Sequence, residues 1–235
     1  KYMIDRACIS VTSKCQLNCS YCHFDKHIDK QSCNDISKER LQIILKNIID
    51  YSEIRNTSFK IGLVGAGEPL LRFDLIKEAI SFTETNDKNK KVLFYTISNG
   101  ISIDEEKMKW FFENREMIKL CISIDGSQKN HDRCRVFANN KGSYEKVFET
   151  ISLYKKIFGK SPSVNATVHR QTLNNSKEEI KFFTENFSEV CFSRLVDEQS
   201  KDLNISKSEF NDFLEFASKS NLSLRQLQKP LKYDC

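Results

Sequence analysis

The sequence predicts an α/β fold built on a parallel sheet. Short runs rich in Val, Ile, Leu, Phe and Cys recur along the chain, amphipathic stretches separate them, and the connections between the two are short. Runs of that composition suit strands buried on both faces, and short βα connections favour right-handed crossovers. The candidate strands are 7–11, 59–64, 92–97, 118–124, 163–168 and 190–196.

Taken in order, the first run leads into a loop holding Cys15, Cys19 and Cys22, and the stripe Leu41, Ile44, Leu45, Ile48 marks the helix after it. The second run ends at Gly65-Ala66-Gly67-Glu68-Pro69, where two glycines let backbone approach a ligand closely and Glu68 offers acceptors to an ammonium group. Ser98-Asn99-Gly100 follows the third run as a turn. The fourth ends in Ser123-Ile124-Asp125-Gly126, and His131-Asp132-Arg133-Cys134-Arg135 comes next. A helix with the stripe Tyr144, Val147, Phe148, Ile151 opens at Gly142-Ser143-Tyr144. The fifth run carries Asn165 and Thr167 at period two, facing either the sheet's interior or solvent. Ser176-x-x-Glu179 and Ser206-x-x-Glu209 read as capping boxes for the fifth and sixth helices. Six such units make either an open doubly wound sheet or a barrel that does not close, and periodicity does not decide between them.

At 235 residues and 39% hydrophobic, the chain suits one large domain with no internal boundary. No apolar run reaches the roughly 18 residues of a membrane span. The net charge of +5 is spread along the chain without a block of one sign, which argues against a nucleic-acid partner. Nine cysteines without a secretory signal indicate a reducing, cytoplasmic setting. Cys8, Cys121 and Cys191 fall inside apolar runs and read as small core residues, while Cys33 and Cys134 read as loop thiols.

Cys15-x3-Cys19-x2-Cys22 carries the chemistry. Three thiolates on a short loop can converge on one metal centre, and three leave one iron of a cubane open to a further ligand. A structural zinc site would need a fourth ligand, for which His23 and Cys33 are candidates. An iron–sulfur electron carrier or sensor is another reading of the same thiols.

The cysteine spacing, with Tyr21 just before the last Cys, resembles the signature of the radical S-adenosylmethionine (SAM) enzymes. The resemblance implies a [4Fe-4S] cluster on Cys15, Cys19 and Cys22 that reductively cleaves SAM, and it favours the partial (β/α)6 TIM barrel, with chemistry at the C-terminal strand ends. Gly65-Ala66-Gly67-Glu68-Pro69 resembles the family's G-G-E-P motif, with Ala66 where Gly is usual, and so implies that Gly67 and Glu68 bind SAM. S-x-D-G, H-D-x-x-R and Gly-Ser-Tyr together resemble the peptide- and protein-modifying branch, notably anaerobic sulfatase-maturating enzymes and maturases of ribosomally made peptides. In that branch Ser and Arg hold the SAM carboxylate, implying Ser123 and Arg135. By the same resemblance, backbone near Leu195 contacts the adenine and Tyr21 packs beside it.

The expected activity is modification of a peptide or protein substrate by the 5′-deoxyadenosyl radical, with an external one-electron reductant such as flavodoxin or ferredoxin. Action on a small metabolite, or activation of a glycyl-radical enzyme, stays open, and no catalytic residue beyond the cofactor sites is assigned. The expected organisation is a radical SAM core over 1–200, then a C-terminal helix over 201–235 and the start of an auxiliary-cluster (SPASM or Twitch) region, with Cys235 as its first thiol. On that expectation the chain is the barrel portion of a longer protein.

Overall fold

Every strand pairing described here is parallel, in a computed structural model that describes residues 4–22, 35–196 and 201–225. Seven parallel strands with helices between them make the fold α/β. The described residues group into two units. The first comprises those of Lys1–Gln16, Phe24–Ser98 and Ser102–Leu120; the second, those of Leu17–His23, Asn99–Ile101 and Cys121–Cys235.

In the first unit β1 (Arg6–Cys8) pairs with β2 (Phe59–Leu63), and β2 with β3 (Val92–Ser98). β1 is shorter than the expected 7–11. Ile9 still donates its N–H to Gly62 O at 2.8 Å, but the chain then turns, with Ser10 Oγ donating to the carbonyls of Thr12 and Ala66. Ile9 and Val11 remain buried, so their hydrophobicity signalled core rather than strand. Helix α1 (Lys38–Arg55) starts where Ser37 Oγ accepts the Arg40 N–H and stops at Asn56, whose φ of 47° breaks the helical path. It buries Leu41, Leu45, Ile49 and Ser52, a stripe shifted slightly from the one read in sequence. A 3₁₀ turn (Pro69–Arg72), α2 (Phe73–Asn86) and α3 (Glu105–Glu113) complete this unit, with Phe73 edge-on to Trp110 at 5.1 Å.

β4 (Ile118–Ser123) begins in the first unit and ends in the second, where it pairs with β5 (Ser163–Val168). β5 pairs with β6 (Glu189–Arg194), and β6 with β7 (Ser223–Leu224), a strand too short to leave a sequence pattern. Helices α4 (Gln128–Cys134), α5 (Tyr144–Phe158), α6 (Arg170–Asn174), α7 (Ser176–Asn186) and α8 (Lys207–Ser218) lie in this unit. Phe192 stands edge-on to both Phe183 and Phe213 at 5.1 Å, which joins α7, β6 and α8 in one aromatic core. On β5, Val164, Ala166 and Val168 are buried while Asn165 and Thr167 are half-buried on the opposite face.

Three sequence expectations are corrected. Cys8 is exposed and Cys191 half-exposed; only Cys121 is core. Cys134 is not a loop thiol but the fully buried last residue of α4. Ser176 does not cap α7, because the Glu179 carboxylate is drawn instead to the N–H and hydroxyl of Ser127, at 2.8 and 2.7 Å. The Ser206–Glu209 capping box is formed in full.

Candidate functional site

The glycine-rich turn after β2 packs directly under the start of the cysteine loop. Glu68 donates its N–H to Lys14 O at 2.8 Å, and a Cβ on Gly67 would lie 2.6–2.7 Å from backbone atoms of Thr12, Ser13 and Lys14. Gly67 also has a φ of 75°, so both its conformation and its lack of a side chain are required. Ala66 is absent from the positive-φ residues, so its backbone is one any residue adopts and the departure from Gly is harmless. Glu68 is buried, and its Oε1 accepts the Leu70 N–H at 3.1 Å and the Ser98 hydroxyl at 2.8 Å. That carboxylate oxygen therefore braces the turn. The loop's far side is held as well, where Asp35 accepts from Thr12 Oγ1 at 2.6 Å and from Arg72 Nη1 at 2.9 Å.

The rest of the cysteine loop belongs to the second unit and is zipped onto the segment after α4. Asn18 N–H donates to Val136 O at 2.7 Å, Ser20 N–H to Cys134 O at 2.9 Å, and Leu17 forms an antiparallel bridge with Phe137. Cys19 thus sits between two backbone bonds that straddle Arg135. Asp125, fully buried at the end of β4, gathers the side chains. Its Oδ1 accepts the Thr167 N–H at 2.9 Å, and its Oδ2 accepts Arg135 Nε at 2.9 Å together with the Tyr21 hydroxyl. The Arg135 guanidinium lies 5.7 Å from the centre of the Tyr21 ring, on its face. His131 Nδ1 accepts the Asp125 N–H at 3.2 Å, which leaves Nε2 to donate to Ser143 Oγ at 3.0 Å; Ser143 Oγ in turn donates to Arg135 O at 2.8 Å.

The charges follow from this packing. Burial pushes the Asp125 carboxyl up, but Arg135 above all, with the Thr167 N–H and the Tyr21 hydroxyl, outweighs it and holds the group below its ordinary value. Burial also opposes the charge of Arg135, yet Asp125, Tyr21 and Cys19 together hold the guanidinium firmly protonated. Tyr21 is driven well above the usual tyrosine range, first by burial and then by Asp125 and Cys19. Burial lowers His131 to about 4, so it is neutral. Burial likewise raises Cys121 to about 11 and moves Cys134 and Cys191 upward, which keeps these three as thiols rather than metal-binding thiolates.

Among the sequence-predicted residues, Tyr21 and Arg135 come together in one network, and Gly67 and Glu68 share one turn. Ser123 ends β4, nearly buried, with its hydroxyl making no hydrogen bond among the described residues. Leu195 donates its N–H to Val168 O at 3.0 Å, just past the end of β6. Cys15 is exposed, Cys19 and Cys22 are half-exposed, and none is in a disulfide. Among the described residues no three His, Cys, Asp or Glu side chains gather as for a single metal ion. A cubane makes a different demand, since each thiolate takes its own iron. The thiols suit that demand by their chemistry: Cys15 is accessible in the first unit, and Cys19 and Cys22 are accessible in the second, where the two Nη groups of Arg135 make no hydrogen bond among the described residues. His23 and Cys33, the fourth ligands of a zinc reading, lie outside the described residues, as does Cys235. Asp125 and His131 were missed as site residues in sequence; their signal was the S-x-D-G and H-D-x-x-R patterns, read only for Ser and Arg.

Comparison with known proteins bears on the family and the fold. The family model described as the Radical SAM superfamily matches residues 9–183. A cysteine-type anaerobic sulfatase-maturating enzyme of Clostridium novyi (strain NT) is 28% identical over 177 residues, covering 73% of this chain and 46% of that protein. An uncharacterized protein of Methanocaldococcus jannaschii is 27% identical over 227 residues, covering 94% of this chain and 74% of the other. A solved structure described as native anSMEcpe with bound AdoMet and Cp18Cys peptide superposes with a TM-score of 0.79 at 20% identity, covering 95% of this chain and 64% of that one. The fold is the partial TIM barrel of that structure. The chain spans about half the length of the first of these relatives.

Proposed function

The chain belongs to the radical SAM superfamily, and from that premise we propose that it modifies a peptide or protein substrate. Its cofactors are a [4Fe-4S] cluster and SAM. When bound, the cluster would pass one electron from an external reductant to SAM, and the cleavage of SAM to methionine would supply the hydrogen-abstracting chemistry of a 5′-deoxyadenosyl group. Cys15, Cys19 and Cys22 hold the cluster in this reading, and Arg135 with Ser123 holds the SAM carboxylate.

The observation that carries the reading is the zipping of the cysteine loop onto the Arg135 segment through Asn18–Val136 and Ser20–Cys134. It holds Cys19 and the Arg135 segment together through backbone hydrogen bonds, which supports a reading in which an amino acid bridges a cluster thiol's iron and the guanidinium. The open Nη pair of Arg135 suits a bidentate carboxylate. The peptide branch rests on the S-x-D-G, H-D-x-x-R and Gly-Ser-Tyr patterns together with the sulfatase-maturating relatives. An external one-electron reductant such as flavodoxin or ferredoxin and a reducing cytoplasm complete the setting; among the described residues no helix is long and apolar enough to cross a membrane.

The test is anaerobic reconstitution with iron, sulfide, SAM and dithionite. The expected result is 5′-deoxyadenosine whose yield rises when Cys- or Ser-containing peptides are added, with a matching change in peptide mass. Robust turnover of a free nucleoside with no peptide present would move the protein to the small-molecule branch.

A further inference from the structure

Arg135 is a long side chain, and an unrestrained guanidinium would lose several rotamers on meeting a carboxylate. Here it is already fixed. Its Nε is held by Asp125 Oδ2 at 2.9 Å, its guanidinium carbon stands over the Tyr21 ring at 5.7 Å from the centroid, and its backbone is pinned at both ends by His131 O and Ser143 Oγ. Asp125 is itself immobile: Thr167 N–H holds Oδ1, Asn130 Nδ2 holds its carbonyl at 2.6 Å, and His131 Nδ1 holds its N–H. With Nε taken, the two Nη groups are what the side chain has left to offer a ligand, and neither bonds to a described residue. Tyr21 lies between two of the cluster cysteines, and its hydroxyl donates to the same Asp125 oxygen that grips Arg135.

We propose that Asp125 and Tyr21 are positioning residues that aim the Nη pair of Arg135 at the cofactor's α-carboxylate, with Tyr21 tying that aim to the cluster loop. The inference rests on the SAM-binding reading above. It differs from a merely structural buried ion pair, which would support the fold without favouring any ligand group.

The two roles separate when the ligand is truncated instead of the protein. The probes are S-adenosylhomocysteine and its decarboxylated analogue, identical but for the carboxylate, titrated by calorimetry into the anaerobically reconstituted full chain. Wild type should prefer the carboxylate-bearing probe by roughly tenfold or more, the scale of a charge-assisted pair. Asp125→Asn should shrink that preference by about fivefold while changing affinity for the decarboxylated probe little, and Tyr21→Phe should shrink it by about two- to threefold. Equal weakening toward both probes, in Asp125→Asn and in the milder Tyr21→Phe, would mean a structural role and overturn the proposal. An unchanged preference in both variants would overturn it equally. Should Asp125→Asn fail to fold, Tyr21→Phe alone decides, since it removes one hydroxyl. No binding of either probe to wild type is a different failure, that of the SAM-binding reading itself.

Discussion

At the scale of single residues, the site is held by groups whose surroundings leave them little choice. Arg135→Ala should weaken SAM binding by roughly 1.5–3 kcal/mol, the range for a hydrogen bond to a charged group; equilibrium titration measures it, and unchanged affinity would remove Arg135 from the carboxylate site. Gly67→Ala should destabilise the protein by roughly 1–3 kcal/mol, because alanine would be strained at a φ of 75° and its Cβ would strike the backbone of Ser13 and Lys14. Thermal unfolding tests this. His131 predicts a pH effect. Its native value of about 4 lies below the unfolded value of about 6.5. Between those values the unfolded chain binds a proton that the native chain refuses, so stability falls as pH drops from about 6.5 toward 4, by up to about 1.4 kcal/mol per unit from this group. Burial shifts His169 in the same direction. Urea unfolding of wild type and His131→Gln across that window should give a shallower slope for the variant.

At the scale of elements, legibility followed whether local and tertiary demands agreed. Ser163–Val168 was readable to the residue because alternating burial and β-branched composition point the same way there. The two Ser-x-x-Glu patterns parted company. Ser206 is exposed at the start of α8 and closes on Glu209, which is only half-buried and still holds the box while pairing with Arg170, whereas Glu179 is buried and needed by Ser127. Gly126 permits that approach, since a Cβ there would lie 2.0 Å from Glu179 Oε2. No local pattern encodes a partner 52 residues away. Ser206→Ala should therefore cost about 0.5–2 kcal/mol as a lost cap, while Ser176→Ala should change stability by less than about 0.5 kcal/mol as a surface substitution. Chemical unfolding of the two variants side by side tests the contrast, and equal effects would refute it.

At the scale of the whole molecule, chain-wide motifs made the superfamily readable. The cysteine spacing, the glycine-rich turn and the Arg135 segment lie far apart in sequence; the first two follow β1 and β2, and the third follows α4. The Asp125 hub was not readable, because its partners Tyr21, Arg135 and Thr167 come from three separate segments and meet only in the fold. The metal content of this chain follows from the state of its cysteines. Cys121, Cys134 and Cys191 are pushed by burial toward the protonated thiol, and among the described residues they join no group of three metal-ligating side chains. An auxiliary cluster takes three or four closely spaced protein ligands, and the cysteines that remain, Cys8, Cys33 and Cys235, lie far apart in sequence with no C-x2-C-type spacing. The anaerobically reconstituted chain should therefore hold about four irons and four sulfides, the complement of one cubane. Replacing Cys15, Cys19 and Cys22 together by Ala should abolish nearly all of it, while Cys121→Ala should retain it. Iron and sulfide analysis with electron paramagnetic resonance decides the matter. Eight irons would mean a second cluster on this chain, and iron surviving the triple replacement would move the centre to other cysteines.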